Sequence, residues 1–275
     1  MEGSKSIIWE ITMASGTTLF EHLLGNSFNS LVHFLETDPI TGATFEHGDA
    51  VIGASSVLGT WTLSAVLLGV ALIARGKLNA SLAKEGTDKY LADEGFSLKN
   101  MFEVYTSAIY KQAKNILPEK EARGFYWLFG GMFLYILFSN LMGVLPTAVP
   151  PSQSISNNLA MGLVVLIVFV GVGVAQQGIG YITHMMGPIW WLAPLMLVIE
   201  GFGAFIVRPV SLAVRLTGNL SGDHIVLGIV SGMVPFVLPV LALCLGVFVS
   251  FVQSFVFTLL TMVYISLSLS HDDHH

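Results

Sequence analysis

Charge is what this 275-residue chain has least of. Lys, Arg, Asp and Glu together make up 11%, less than half of the roughly 25% usual in soluble domains. The few cations are also unevenly spread. Nine of the 12 Lys and Arg lie between Arg75 and Arg123; only Lys5 precedes that block, and only Arg208 and Arg215 follow it. Cysteine is nearly absent, with Cys244 alone in an apolar run, where it reads as a small buried hydrophobe. No phosphate-binding glycine loop, zinc motif, dinucleotide fingerprint or nucleophile elbow occurs. These absences exclude a water-soluble enzyme, a disulfide scaffold and a nucleic-acid binder. They also leave no expectation of a cofactor, a metal or covalent chemistry. With 53% apolar residues, the chain reads as an all-α, polytopic membrane protein.

Long uncharged runs supply the membrane passages. Val51–Ala74 is 24 residues without a charge, enough to cross a hydrocarbon core of about 30 Å. Gly124–Ile199 has none in 76 residues. Prolines at 146, 150 and 151 and a break near Gly178–Pro188 divide it into spans at about 125–145 and 158–178. Ile225–Ser270 is uncharged for 46 residues, which as one straight helix would measure about 69 Å. It is either two short spans turning near Pro235 and Pro239, or a turn at about 232–235 and one inclined helix. The second is preferred, because no polar loop interrupts 240–268.

The nine cations between the first two spans place that loop in the cytoplasm and the N-terminus outside. Within the loop, Leu98, Met101, Phe102, Tyr105, Ile109 and Ile116 recur at helical spacing, as in a helix lying along the interface. The first apolar stretch is short and broken by Glu10, unlike a cleaved signal. The expected organisation is an external segment 1–50, a first span 51–74, a cytoplasmic loop with interfacial helix 75–123, and a helical membrane domain 124–275. It has five transmembrane passages and a final long inclined helix hairpin.

From 124 to 270 the only formal charges are Glu200, Arg208, Arg215 and Asp223. Each costs at least about 2.5–3.5 kcal/mol at bilayer depth, so each is a functional candidate. At 100° per residue, Arg208, Ser211, Arg215, Asn219 and Gly222 share one face, opposite Val214, Thr217 and Leu220. Such a stripe points at protein or water. Arg208, just before Pro209, reads equally as a snorkelling cation or a partner of Glu200. Asp223 and His224 are either a solvated turn or a titratable pair lining water. Ala242, Gly246, Ser250, Gln253 and Tyr264 share a face of the last helix, which fits close packing and would bring Gln253 towards the arginine stripe. His184 reads as a loop histidine, and His271–His275 as an exposed tail.

Pro209-Val210-Ser211-Leu212-Ala213-Val214-Arg215-Leu216-Thr217-Gly218-Asn219 resembles the signature of subunit a of the F-type ATP synthases. Gln253-Ser254-Phe255-Val256-Phe257-Thr258-Leu259-Leu260-Thr261-Met262-Val263-Tyr264 is similar to that family's last helix, and Ser139-Asn140-Leu141-Met142-Gly143-Val144-Leu145-Pro146 to its second-span motif. Asn100 and Glu103 also fit its interfacial helix. Three motifs in order make the resemblance specific, and it covers roughly 97–270.

The resemblance implies a non-catalytic stator subunit beside a rotating ring of c subunits, with two offset half-channels leading protons to and from a carboxylate on each. Implied partners are the c-ring, b-type peripheral stalk subunits, the remaining ATP synthase subunits and membrane lipid, in a bacterial inner membrane in preference to a mitochondrial one. Arg215 matches the essential arginine; Asn219 and Gln253 match the polar positions around it. The expected proton path takes in Asp223, His224, Glu200, Asn219, Gln253, Ser211, Ser250 and Tyr264, with Arg208 and Asn140 structural or charge-pairing. The sequence departs from the family at two places. Gly246 stands where a titratable partner of the His224 site is often found, leaving Asp223 as the available carboxylate. Glu200 is one residue farther from Pro209 than the family pattern. The alternatives are a proton-coupled secondary transporter using Glu200 and Asp223, for which no internal repeat is visible, and a membrane anchor, which leaves the stripe unexplained.

Overall fold

The computed structural model describes residues 24, 26–36, 47–82, 98–144, 150–178, 201–233 and 237–269. These residues are helical throughout apart from short connections. Seven α-helices occur among them: α1 (Asn26–Glu36), α2 (His47–Leu82), α3 (Leu98–Ile116), α4 (Glu119–Met142), α5 (Ile155–Gln177), α6 (Arg208–Met233) and α7 (Val237–Leu269). Four contain stretches long and apolar enough to cross a membrane: Ala54–Gly76, Glu119–Met142, Ile155–Gln176 and Val237–Leu269. The protein is therefore an all-α polytopic membrane protein. Most of the N-terminal segment, His184, Glu200 and the tail His271–His275 lie outside the described residues.

α4 to α7 form the bundle that holds the core. Phe129, Ile136, Phe169, Leu212, Leu216, Phe257 and Ile265 are each at most 2% exposed and belong to one cluster. Around this core the outer surface is as apolar as the inside, with Ile167, Phe248 and Val214 all exposed, as expected of helices that face lipid. Cys244 is exposed on α7, which corrects its reading as a buried residue. An apolar run fixes burial only in water, since a lipid-facing surface accepts the same side chains.

Backbone economy in lipid explains several local choices. Hydroxyls along α7 donate to carbonyls one turn back: Ser250 to Gly246, Ser254 to Ser250, Thr258 to Ser254 and Thr261 to Phe257, at 2.7–2.9 Å. These hydroxyls then present no unmade hydrogen bond to hydrocarbon. α7 runs unbroken through Pro239, which sits in its first turn where its missing N–H has no helical partner to lose. One long helix, and not two short spans, thus follows the α6 terminus.

α6 is entered through a π-turn at Gly203–Val207. The Arg208 N–H reaches back five residues to the Gly203 carbonyl. Widening the turn at that point accommodates Pro209, whose ring would clash with the carbonyl four residues back in a regular helix. α5 and α6 cross very closely. A Cβ built on Gly162 would lie 2.7 Å from the Pro209 carbonyl oxygen, so only glycine fits this crossing. α5 ends at Gly178, whose φ of +58° favours glycine.

The loop helix forms as its periodicity predicts, but its apolar arc divides. Ile109 and Ala113 are buried and Tyr105 and Ile116 pack on the core, whereas Met101 is 60% exposed. Tyr105 donates to the Gly130 carbonyl at 2.6 Å, and burial pushes its phenol pKa well up. It is therefore a permanent donor that ties α3 to α4. Ser266 of α7 donates to the Ile116 carbonyl at 3.0 Å and anchors the other end of α3.

Candidate functional site

Arg208, Arg215 and Asp223 all lie on α6, packed between α5 and α7. Its inward side is apolar: Leu212, Ala213, Leu216 and Leu220 are at most 7% exposed. Thr217 also turns inward, accepting from Asn158 Nδ2 at 2.8 Å and donating to the Ala213 carbonyl at 3.1 Å. Val214, expected on the same side, is 52% exposed instead. Ser211, Arg215 and Asn219 lie on the uncovered side. Arg215 has no hydrogen bond or ion pair among the described residues. Gly218 and Gly222 flank this stripe, and an added Cβ at either would meet no atom within 4 Å. An unpaired guanidinium on a surface pared down to serine and glycine is arranged to face something outside the chain.

One turn beyond Arg215, Asn219 Nδ2 donates to Gln253 Oε1 on α7 at 2.7 Å. This is the approach expected from the faces of the two helices. Gln253 is 7% exposed, and its Nε2 has no partner among the described residues. Two small adjoining cavities lead from this amide pair. The first, about 10 Å³, is lined by Gln253, Asn219, Ser250, Asn140 and Asp223. The second, about 30 Å³, shares Asn140, Ser250 and Asp223 and adds His224 and Gly246. These volumes match one or two waters. Asn140 Oδ1 and His224 Nε2 are buried without partners among the described residues. Leaving each dry would cost about 1–3 kcal/mol, so the lining is polar enough to hold water.

Asp223 lies opposite Gly246. The carboxylate Oδ2 is 3.9 Å from the place a Cβ on Gly246 would occupy. A side chain at 246 would point at this carboxylate, and glycine leaves the room to Asp223. Asp223, His224, Asn140, Ser250, Asn219 and Gln253 are thus brought together along one face between α4, α6 and α7.

Arg208 and Tyr264 form a separate place. The Arg208 guanidinium carbon sits 5.1 Å from the Tyr264 ring centroid and 5.5 Å from that of Phe169. The two rings, themselves 6.4 Å apart between centroids and tilted by 54°, form a corner clamp from α5 and α7 against one side of the cation. Tyr264 therefore stands with Arg208 and not beside Gln253, eleven residues earlier on α7.

Sequence reasoning passed over Phe169, one of many aromatics in apolar runs, which no local pattern marks as a cation's partner. It also passed over the amides Asn157 and Asn158. Asn158 is 1% exposed and donates to the Ser152 carbonyl at 2.6 Å as well as to Thr217. Asn157 Oδ1 accepts from Tyr135 at 3.0 Å. Paired amides at the head of an apolar helix were the available signal.

A model of the ATP synthase A chain family matches residues 57–266. The chain belongs to this family. It is 38% identical over 216 residues to ATP synthase subunit a of Trichlorobacter lovleyi, covering 78% of this chain and 87% of that one. It is 37% identical over 217 residues to ATP synthase subunit a of Geobacter sulfurreducens, covering 79% and 88%. ATP synthase subunit a of Geobacter sp. strain M21 aligns over 253 residues at 36% identity, covering 91% and 97%. Membership gives the chain a stator and proton-channel role with no catalysis of its own, as an integral protein of a bacterial inner membrane. The transporter alternative has no support.

Proposed function

We propose that this chain forms two offset aqueous half-channels that carry protons to and from the carboxylates of a c-ring, coupling their passage to rotation and ATP synthesis. The observation that carries the reading is Arg215. It is unpaired among the described residues, on an uncovered small-residue stripe, one turn from an amide bridge that opens onto polar cavities. A guanidinium is permanently charged and cannot relay a proton. It divides two water paths electrically, while favouring ionisation of a carboxyl that approaches it.

In this reading Asp223 and His224 open the outer half-channel, and Asn140, Ser250, Asn219 and Gln253 line its course towards Arg215. The proximity of Asp223 to Gly246 supports Asp223 as the carboxylate of this site. Glu200 serves the cytoplasmic side, Ser211 faces the rotor, and the Arg208–Tyr264 clamp borders the cytoplasmic exit. α6 is the fourth of five passages, lying with α7 as an inclined hairpin against the curved rotor. At 33 residues α7 is about 50 Å long, well beyond a core of about 30 Å. Residues 1–50 are external, 51–74 the first span, 75–123 the cytoplasmic loop with its interfacial helix, and 124–275 the rotor-facing domain. Peripheral-stalk b-type subunits and the remaining ATP synthase subunits complete the assembly.

The outer half-channel is tested by Asp223→Asn/His224→Ala. Both ATP synthesis and ATP-driven proton pumping should fall about tenfold or more, the scale lost with a positioned proton-transfer group, while the two stay coupled. Unchanged rates in both directions would mean that protons enter elsewhere. The topology is tested by a cysteine at Lys89, which should be labelled only after the membrane is opened; labelling from the external side of intact cells would contradict it.

A further inference from the structure

A groove of about 1100 Å³ opens on the flank of the bundle where α2, α3 and α4 meet, away from the polar cavities. Two guanidiniums line it. Arg75 stands at the end of the apolar stretch Ala54–Gly76 of α2, and Arg123 in the opening turns of α4. Both therefore lie where their helices meet one interface of the membrane. Neither has an ion pair within 4.0 Å among the described residues; Glu103 of α3 is the one carboxylate in the lining. Beside them Tyr110 and Tyr126 stand edge to face at 6.0 Å, and Trp127 is 66% exposed. On the other side of Trp127 begins a second, almost wholly apolar groove of about 270 Å³, running down α4 along Gly131 to Met161 and Val164 of α5. An added Cβ on Gly131 would meet nothing within 4 Å, so the second groove is open at that point.

With increasing depth the surface thus changes from cationic to aromatic to apolar. A phospholipid has the same order, from phosphate through glycerol esters to acyl chain. Arginine pairs with phosphate oxygens in fork geometry, and basic pockets between transmembrane helices suit anionic headgroups. Tyrosine and tryptophan favour the ester level. A neighbouring transmembrane helix would leave both guanidiniums against apolar side chains unless it brought acids to the same level.

We infer that this groove binds an anionic phospholipid, with its phosphate on Arg75 and Arg123 and an acyl chain passing Trp127 towards Gly131. The inference requires only that the chain lies in a membrane, and it is independent of the proton path.

The test is native mass spectrometry of the assembled complex after delipidation in mild detergent and addition of defined lipids. Wild type should bind phosphatidylglycerol about tenfold or more tightly than phosphatidylethanolamine, whose ammonium offsets the phosphate charge that the two arginines would meet. Arg75→Gln with Arg123→Gln should remove the preference, and both side chains are exposed, so folding is not at stake. Glu103→Gln should strengthen it, and Lys111→Gln, an exposed cation on α3 outside the groove, should leave it intact. Equal binding of the two lipids by wild type would overturn the assignment. So would a preference that survives loss of both arginines or is lost equally with Lys111, weaker binding by Glu103→Gln, or a structure of the complex with another subunit's helix seated between Arg75 and Arg123.

Discussion

Arg208 and Arg215 are two turns apart on one helix, yet their surroundings assign them different work. Arg215 has no partner within the described chain, whereas Arg208 lies against Phe169 and Tyr264. A guanidinium resting in the corner of two adjoining rings gains about 1–2 kcal/mol when it is partly desolvated. Arg208→Ala should therefore lower the thermal stability of the purified complex by a few degrees, with Arg208→Lys in between, because an ammonium cannot stack flat on the rings. Unchanged melting in Arg208→Ala would show that the clamp adds nothing. The sequence contained the cation and the tyrosine but not the clamp, since α5, α6 and α7 must fold together before Phe169 and Tyr264 can meet over Arg208. Asn219 and Gln253 were easier to read. Each is a rare amide on an identifiable helix face, and two such amides in lipid are expected to seek each other.

Elements are set by where neighbouring backbones can approach. Gly162 is the tightest such point, with the Pro209 carbonyl at 2.7 Å from any added Cβ. Because a carbonyl cannot swing aside as a side chain does, Gly162→Ala should push α6 from α5 at a cost of about 1–3 kcal/mol. The amount of the chain found in assembled complexes, and their melting temperature, should fall. Gly171→Ala on the same helix meets no atom within 4 Å and should leave both unchanged. Normal assembly and melting of Gly162→Ala would contradict so close a crossing of α5 and α6. Spans of this kind are legible from uncharged runs alone, as α4 and α5 show. Their crossings are not, because hydropathy records what a helix faces only as apolar or polar. For the same reason Cys244 was misplaced, and Met101 and Val104 stand exposed on a helix whose Ile109 and Ala113 turn inward.

The molecule as a whole is an apolar bundle with one face left unfinished. Its core lies between α4 and α7, its lipid-facing surface is apolar too, and among the described residues the Arg215 stripe is polar with serine and glycine beside the cation. The membrane potential delivers about 2.3 kcal/mol per charge per 100 mV. That energy reaches a rotor only if protons are denied a direct route between the two half-channels. In the function proposed above, a fixed cation at Arg215 provides that denial. The most direct test is Arg215→Ala in membranes with verified amounts of assembled complex, measuring ATP synthesis and passive proton conductance together. The expected result is loss of synthesis with raised passive conductance. Normal coupled synthesis by the assembled variant would contradict the role of Arg215 as the barrier between the half-channels.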